Sequence, residues 1–113
     1  MADTVYINED EGKKRVLNNA KLYVKLLTKF KTDTNLDKLV AFAEAQDWEN
    51  AQGEAHTIKG IAANLSLTEL FNRSLALETQ LKEKTLDPES LENLKTCFDE
   101  TLDHVEKVIA KNA

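Results

Sequence analysis

Trp48, Ala51, Ala55, Ile58, Ala62 and Leu65 recur at spacings of three, four, three, four and three. A stripe of that period has one stable way to be buried, as the inner face of an α-helix, because side chains three and four residues apart project from the same side. The same period runs through most of the chain. With one proline and three glycines among 113 residues, of which 42% are hydrophobic and 31% charged, the chain is too apolar for a disordered segment. It is also too poor in turn residues for a many-stranded β fold. Its length suits one domain spanning residues 1–113, large enough to enclose a continuous core without disulfide or metal.

Five helices are predicted. From about Gly12 to Lys31, Val16, Leu17, Ala20, Tyr23, Val24, Leu27 and Phe30 form one apolar face. The preceding Met1–Glu11 carries Val5, Tyr6 and Ile7 and is expected to be an arm, strand-like or helical, folded against the bundle. A second helix fits Asn35–Gln46, with Leu36, Leu39, Val40, Phe42 and Ala43 inward and Thr34 or Asp33 as N-cap. The third follows Asp47 and carries the stripe from Trp48 to Leu65. Ser66 and Glu69 have the spacing of a capping box, so a fourth helix is predicted from near Leu67 to about Lys84, with Leu67, Leu70, Phe71, Ser74, Leu77 and Leu81 inward. The fifth starts with Asp87 at N-cap and Pro88 at the first helical position. It runs to the C-terminus through Leu91, Leu94, Phe98, Leu102, Val105 and Ile109. Short connections between such helices favour antiparallel neighbours, so the expected architecture is all-α: an antiparallel up-and-down four-helix bundle with an accessory N-terminal helix or arm.

Charge and cysteine content narrow the function. A net charge of −5 argues against broad binding to nucleic acid or anionic lipid, both of which rely on clustered Lys and Arg, and leaves a protein partner as the expectation. Cys97 is alone and cannot form an internal disulfide; beside Phe98 it reads as a small hydrophobe. No run is long and apolar enough for a signal peptide or a membrane span, so the expected location is the cytoplasm. The acidic runs Asn8–Glu11 and Asp87–Glu92 read as solvated faces with favourable first-turn charges.

The third helix holds the chemical anomaly. His56 stands between Gly53 and Gly60, two of the three glycines, and each glycine costs an exposed helix interior about 1 kcal/mol relative to alanine. On a wheel of about 100° per residue, His56 falls roughly 130° from the centre of the apolar stripe and faces solvent. Glu49, Gly53, Gly60 and Ala63 lie on its side, with Gln52 and Lys59 toward one edge. Small neighbours leave room for a second protein surface to reach the imidazole. If the third and fourth helices form a hairpin at Ser66, His56 lies ten residues before the turn and Glu78 twelve after it, within about one turn of the same height. The Glu78 carboxylate is then placed to accept from one imidazole nitrogen, fixing the tautomer and leaving the other nitrogen as an outward nucleophile. Lys59, one turn along, supplies positive charge for an anion developing there. A lone exposed histidine is usually ordinary surface, and His104 reads as a surface or rim residue; the glycine pair sets His56 apart.

The segment "AHTIKGIAANL" resembles the H-x-x-K-G motif of histidine-containing phosphotransfer domains, the relay modules of multistep two-component signalling. "LNNAKLYVKLLTKF", "DWENAQGEAHTIKG" and "LTELFNRSLALE" are similar to the first long helix, the approach to the histidine and the following helix of that family. The resemblance implies phosphorylation of His56 at Nε2, charge neutralisation by Lys59, clearance at Gly60 and imidazole contact by Glu78. It implies partners that are response-regulator receiver domains or hybrid sensor histidine kinases, with Mg²⁺ on the receiver and no cofactor or metal on this chain. The module would be a phosphocarrier supplying half of a shared site rather than an enzyme, and it is expected to be a monomer. Gly53, Gly60, Gln52 and Ala63 form the expected partner face. Two departures stand out. Ser66 occupies a turn where the family usually has glycine, and Leu75 stands where the related chemotaxis-kinase domain often has a second histidine, which favours a stand-alone or hybrid-kinase relay module.

Two other readings compete. One is a helical docking or adaptor module that binds a signalling partner without carrying phosphate. A metal-binding bundle is poorer, because there are two histidines and Glu100 with His104 is an isolated i, i+4 pair.

Overall fold

A computed structural model describes residues 5–112 and is helical throughout its regular structure. Met1–Thr4 of the expected arm and the final residue of the expected last helix lie outside the described residues. Among the described residues there are six helices: α1 (Glu9–Arg15), α2 (Ala20–Phe30), α3 (Asn35–Glu44), α4 (Trp48–Leu65), α5 (Thr68–Lys82) and α6 (Pro88–Lys111).

The continuous first helix predicted from Gly12 to Lys31 is two helices. Leu17 and Asn18 adopt left-handed φ values of 55° and 60°, and the Asn18 N–H closes α1 on the Lys13 carbonyl at 2.7 Å. Asn19 then caps α2, its Oδ1 accepting from the Leu22 N–H at 3.1 Å. The local chemistry explains the break, since asparagine tolerates the left-handed region and is among the best N-caps. Of the face predicted for this segment, Tyr23, Leu27 and Phe30 are buried, Val16, Ala20 and Val24 are half-buried, and Leu17 is 92% exposed. Upstream, Tyr6 and Ile7 pack against the core without forming a strand.

Helix α3 ends two residues before the expected Gln46, which has φ 57°. Its N-cap position is Thr34, whose side chain makes no capping bond. Asp33 instead binds the side-chain amide of Asn35. Helix α4 has the predicted limits, and its stripe is buried except for half-buried Trp48. The capping box is a correction. Ser66 terminates α4 in the left-handed region, with φ 58° and ψ 40°, and Leu67 is the N-cap of α5 without a side-chain bond. The Ser66 hydroxyl donates to Glu11 Oε1 at 2.9 Å and its carbonyl accepts from the Asn8 N–H at 2.9 Å. Those ties to α1 and its N-cap occupy the serine that a capping box would need, while Glu69 pairs with Arg73 at 2.8 Å. Helix α6 starts as predicted, with Asp87 accepting from the Glu89 N–H at 3.0 Å.

Helix α4 is shared by its neighbours, packing against α3 and α5, while α6 lies on α5 and α2 touches both α4 and α6. The buried face of α4 includes Ala51, Ala55 and Ala62, each with no exposed surface. Interaxial distance follows side-chain size, so these alanines draw α3 and α5 close to α4. That closeness lets an α5 side chain reach a residue on the flank of α4.

Candidate functional site

His56 stands on the solvent side of α4 with 68% of its side chain exposed. Its Nδ1 lies 2.9 Å from Glu78 Oε2 on α5, the pairing expected from equal distances along a helical hairpin. The Glu78 side chain is only 4% exposed. Its second oxygen, Oε1, accepts from Lys59 Nζ at 2.6 Å, and Lys59 is itself 21% exposed. One nearly buried carboxylate therefore holds both an imidazole and an ammonium. Sequence reasoning placed Glu78 beside His56 and Lys59 one turn along, but missed their sharing of this carboxylate. The signal was available: His56 and Lys59 are i, i+3 on α4, so a carboxylate level with one is within reach of the other.

The electrostatics are consistent with an ionised Glu78. Burial alone would raise its carboxyl, but the hydrogen bonds from Lys59 and His56 and the charge of the Lys59 ammonium outweigh burial and hold it below its ordinary value. An ionised carboxylate only accepts, so the bond at Nδ1 requires the proton on that nitrogen. In the neutral ring Nε2 is then the nitrogen that carries the lone pair, on a side chain mostly open to solvent.

Gly53 and Gly60 flank His56 on the exposed surface, and a Cβ added at either would meet no atom within 4 Å. Neither glycine is needed for packing among the described residues. Gln52 and Ala63 are half-buried at the margin of this face, and Thr57 is tied back to the Gly53 carbonyl at 3.0 Å. The structure thus brings His56, Lys59 and Glu78 together, with Gly53, Gly60, Gln52 and Ala63 on the same helix around them.

The remaining conspicuous side chains lie elsewhere. Cys97 is buried, and burial pushes its thiol up. His104 is half-buried and stacks on Tyr6 with ring centroids 4.7 Å apart, while Glu100 accepts the Tyr6 hydroxyl. Among the described residues no three His, Cys, Asp or Glu side chains converge on a point where they could hold a metal ion. No helix among the described residues is long and apolar enough to cross a membrane.

The family model of the Hpt domain matches residues 25–106, a span that contains every residue of the His56 site. No curated protein and no solved structure matches the chain. Because the match covers well over half of its 113 residues, the chain belongs to the Hpt domain family, whose members carry out histidine phosphotransfer in phosphorelays.

Proposed function

We propose that this protein relays a phosphoryl group between receiver-domain aspartates through His56. The observation that carries this reading is an exposed imidazole whose Nδ1 is held 2.9 Å from a nearly buried carboxylate. In the transfer, the Nε2 lone pair attacks phosphorus in line. The N–P bond forms as the acyl-phosphate O–P bond breaks, and the partner's aspartate leaves with the electron pair. The ring becomes cationic while Nδ1 keeps its proton, and Glu78 offsets the new charge. Passing the group onward reverses these steps on a second aspartate.

Phosphoryl transfer needs alignment and charge neutralisation more than covalent help from the scaffold. In this reading Glu78 sets the tautomer and Lys59 neutralises the incoming phosphoryl oxygens. Gly53 and Gly60 give the partner clearance, and Gln52 and Ala63 complete the contact face. The chain supplies half a site, and the receiver brings the phosphoaspartate and its Mg²⁺. We read α3, α4, α5 and α6 as an antiparallel up-and-down four-helix bundle with the N-terminal α1 and α2 as its accessory. The chain acts as one domain, a cytoplasmic monomer and a phosphocarrier without turnover of its own; its partners are response regulators or hybrid sensor kinases.

The test is transfer from a panel of phosphorylated receiver domains, read by intact mass, with His56→Gln as control. Acid-labile phosphate on the wild type and none on the variant is the expected result. A receiver that binds both proteins equally and phosphorylates neither would overturn the relay in favour of docking alone.

A further inference from the structure

Residues 12–32 hold seven of the fifteen Lys and Arg residues and none of the twenty acids, so the remainder has eight basic side chains against those twenty. The structure gathers much of this charge on one exposed ridge. Lys21, Lys25 and Lys29 follow one another at four-residue intervals along α2, opposite its buried Tyr23, Leu27 and Phe30, and all three are exposed. None of them, nor Lys14, makes an ion pair among the described residues.

This arrangement works against the helix that bears it. Like charges at i, i+4 destabilise a helix by about 0.2–0.5 kcal/mol per pair, and a lysine in the first turn opposes the macrodipole. Every other helix places an acid in its first turn; α2 has none. A second, independent oddity stands at the head of the ridge. Leu17 is 92% exposed and is held at φ 55°, a backbone region that costs a branched, non-glycine residue about 1–2 kcal/mol. Leu22, within α2, is also among the exposed large hydrophobics, at 39%.

We propose that Leu17 and the Lys21–Lys25–Lys29 ridge form a docking surface for an acidic face on the partner protein, with Leu17 as its apolar anchor. That the partner is a receiver rests on the phosphocarrier reading. A protein is favoured over a membrane or nucleic acid because those present negative charge over an extended surface, which would repel the strongly acidic remainder of this molecule. A protein can confine its acidic charge to a patch a few Debye lengths across, about 8 Å each at physiological salt. Because the ridge lies on the side of α2 opposite the residues that pack into the core, a partner can seat on it without displacing α2 from α4, the helix of His56.

The experiment compares wild type, a variant combining Lys21→Glu, Lys25→Glu and Lys29→Glu, and Leu17→Ser. Each is titrated with the receiver panel, with a poly-L-glutamate peptide and with phosphatidylserine/phosphatidylcholine vesicles, following backbone amide shifts. Association rates with any receiver that binds are measured against salt. Phosphorylation of His56 by phosphoramidate, a small donor that needs no docking, serves as the control. The expected result is that a receiver and the peptide shift the amides of residues 17–29. Wild-type association should be steeply salt-dependent; charge reversal should slow it about tenfold at low salt and flatten that dependence. Leu17→Ser should accelerate dissociation, and phosphoramidate labelling should be equal in all three proteins. Equal labelling with no shift at residues 17–29 from receiver or peptide, shifts from vesicles alone, or a charge-reversed variant that associates normally would each overturn the docking surface. Loss of labelling in the wild type would instead overturn the phosphocarrier reading.

Discussion

At the scale of single residues, glycine placement separates function from folding. Leu17, Asn18, Gln46, Ser66 and Lys84 all hold left-handed backbone, and no glycine among the described residues does. Gly53 and Gly60 thus sit in regular helix, where alanine is the better residue and where a Cβ would meet nothing. Gly53→Ala and Gly60→Ala should each raise stability by about 0.5–1 kcal/mol in denaturant melts. The same changes should slow transfer from a phosphorylated receiver while leaving phosphoramidate labelling unchanged; equal receiver rates would remove the clearance role. Gly12 behaves oppositely, since a Cβ there would collide with the Tyr23 ring. Gly12→Ala should lose about 1–3 kcal/mol through overpacking.

Glu78 makes a pH prediction at the same scale. Its carboxyl is held below the ordinary value of 4.5, burial being outweighed by hydrogen bonds from Lys59 and His56. A group whose folded-state pKa is depressed contributes stability that is present above the unfolded value and is lost as pH falls through the folded one. Urea midpoints followed from about pH 7 to about pH 3 should therefore fall more steeply for wild type than for Glu78→Gln. Parallel acid limbs would show that the Lys59–Glu78–His56 cluster does not contribute net stability.

At the scale of elements, the helices whose ends carry side-chain signals were the legible ones. Asp47 before α4 and Asp87–Pro88 before α6 marked real starts. At three of the breaks that sequence reasoning missed, Gln46, Ser66 and Lys84 hold left-handed conformations that their side chains do not advertise. The Leu17–Asn18 turn split a face whose period ran on unbroken, although paired asparagines were a usable cue. Ser66 and Glu69 matched a capping box in spacing, yet Ser66 was drawn into contact with Asn8 and Glu11, residues distant in sequence. The His56–Glu78 pairing was legible because a helical hairpin converts residue counts into heights. The Lys59–Glu78 contact follows from the same heights, because Lys59 is one turn from His56, and was missed only because Lys59 was assigned to the phosphoryl group alone. The exposed helix ends carry their own prediction: Gln46 and Lys84, both at φ 57° just beyond a helix, should each gain about 1 kcal/mol on substitution by glycine. Denaturant melts would show this, and unchanged midpoints would mean that the left-handed conformation costs these residues little.

At the scale of the whole molecule, Tyr23 joins three elements. Its ring is fully buried on α2, it faces Gly12 of α1, and its hydroxyl donates to the carbonyl of Leu65, the last residue of α4, at 2.8 Å. Burial, reinforced by the charges of Glu9 and Glu11, raises its pKa from 10.0 to about 12. Because the folded-state value is raised, the stability linked to this group is fully present below 10 and is lost as pH climbs through about 12. Tyr6 is raised to about 12 as well, chiefly by its hydrogen bond to Glu100, so the alkaline limb alone does not isolate Tyr23. The difference between variants does. Tyr23→Phe should be less stable near neutral pH by about 1 kcal/mol, the usual net worth of one hydrogen bond, and should lose stability less steeply between 10 and 12 than wild type. Tyr6→Phe should keep the part of the slope that belongs to Tyr23. Identical alkaline limbs for wild type and Tyr23→Phe would mean that the phenol ionises without breaking the contact among α1, α2 and α4. The frame supporting the His56 helix would then rest on the apolar core rather than on the Tyr23–Leu65 bond.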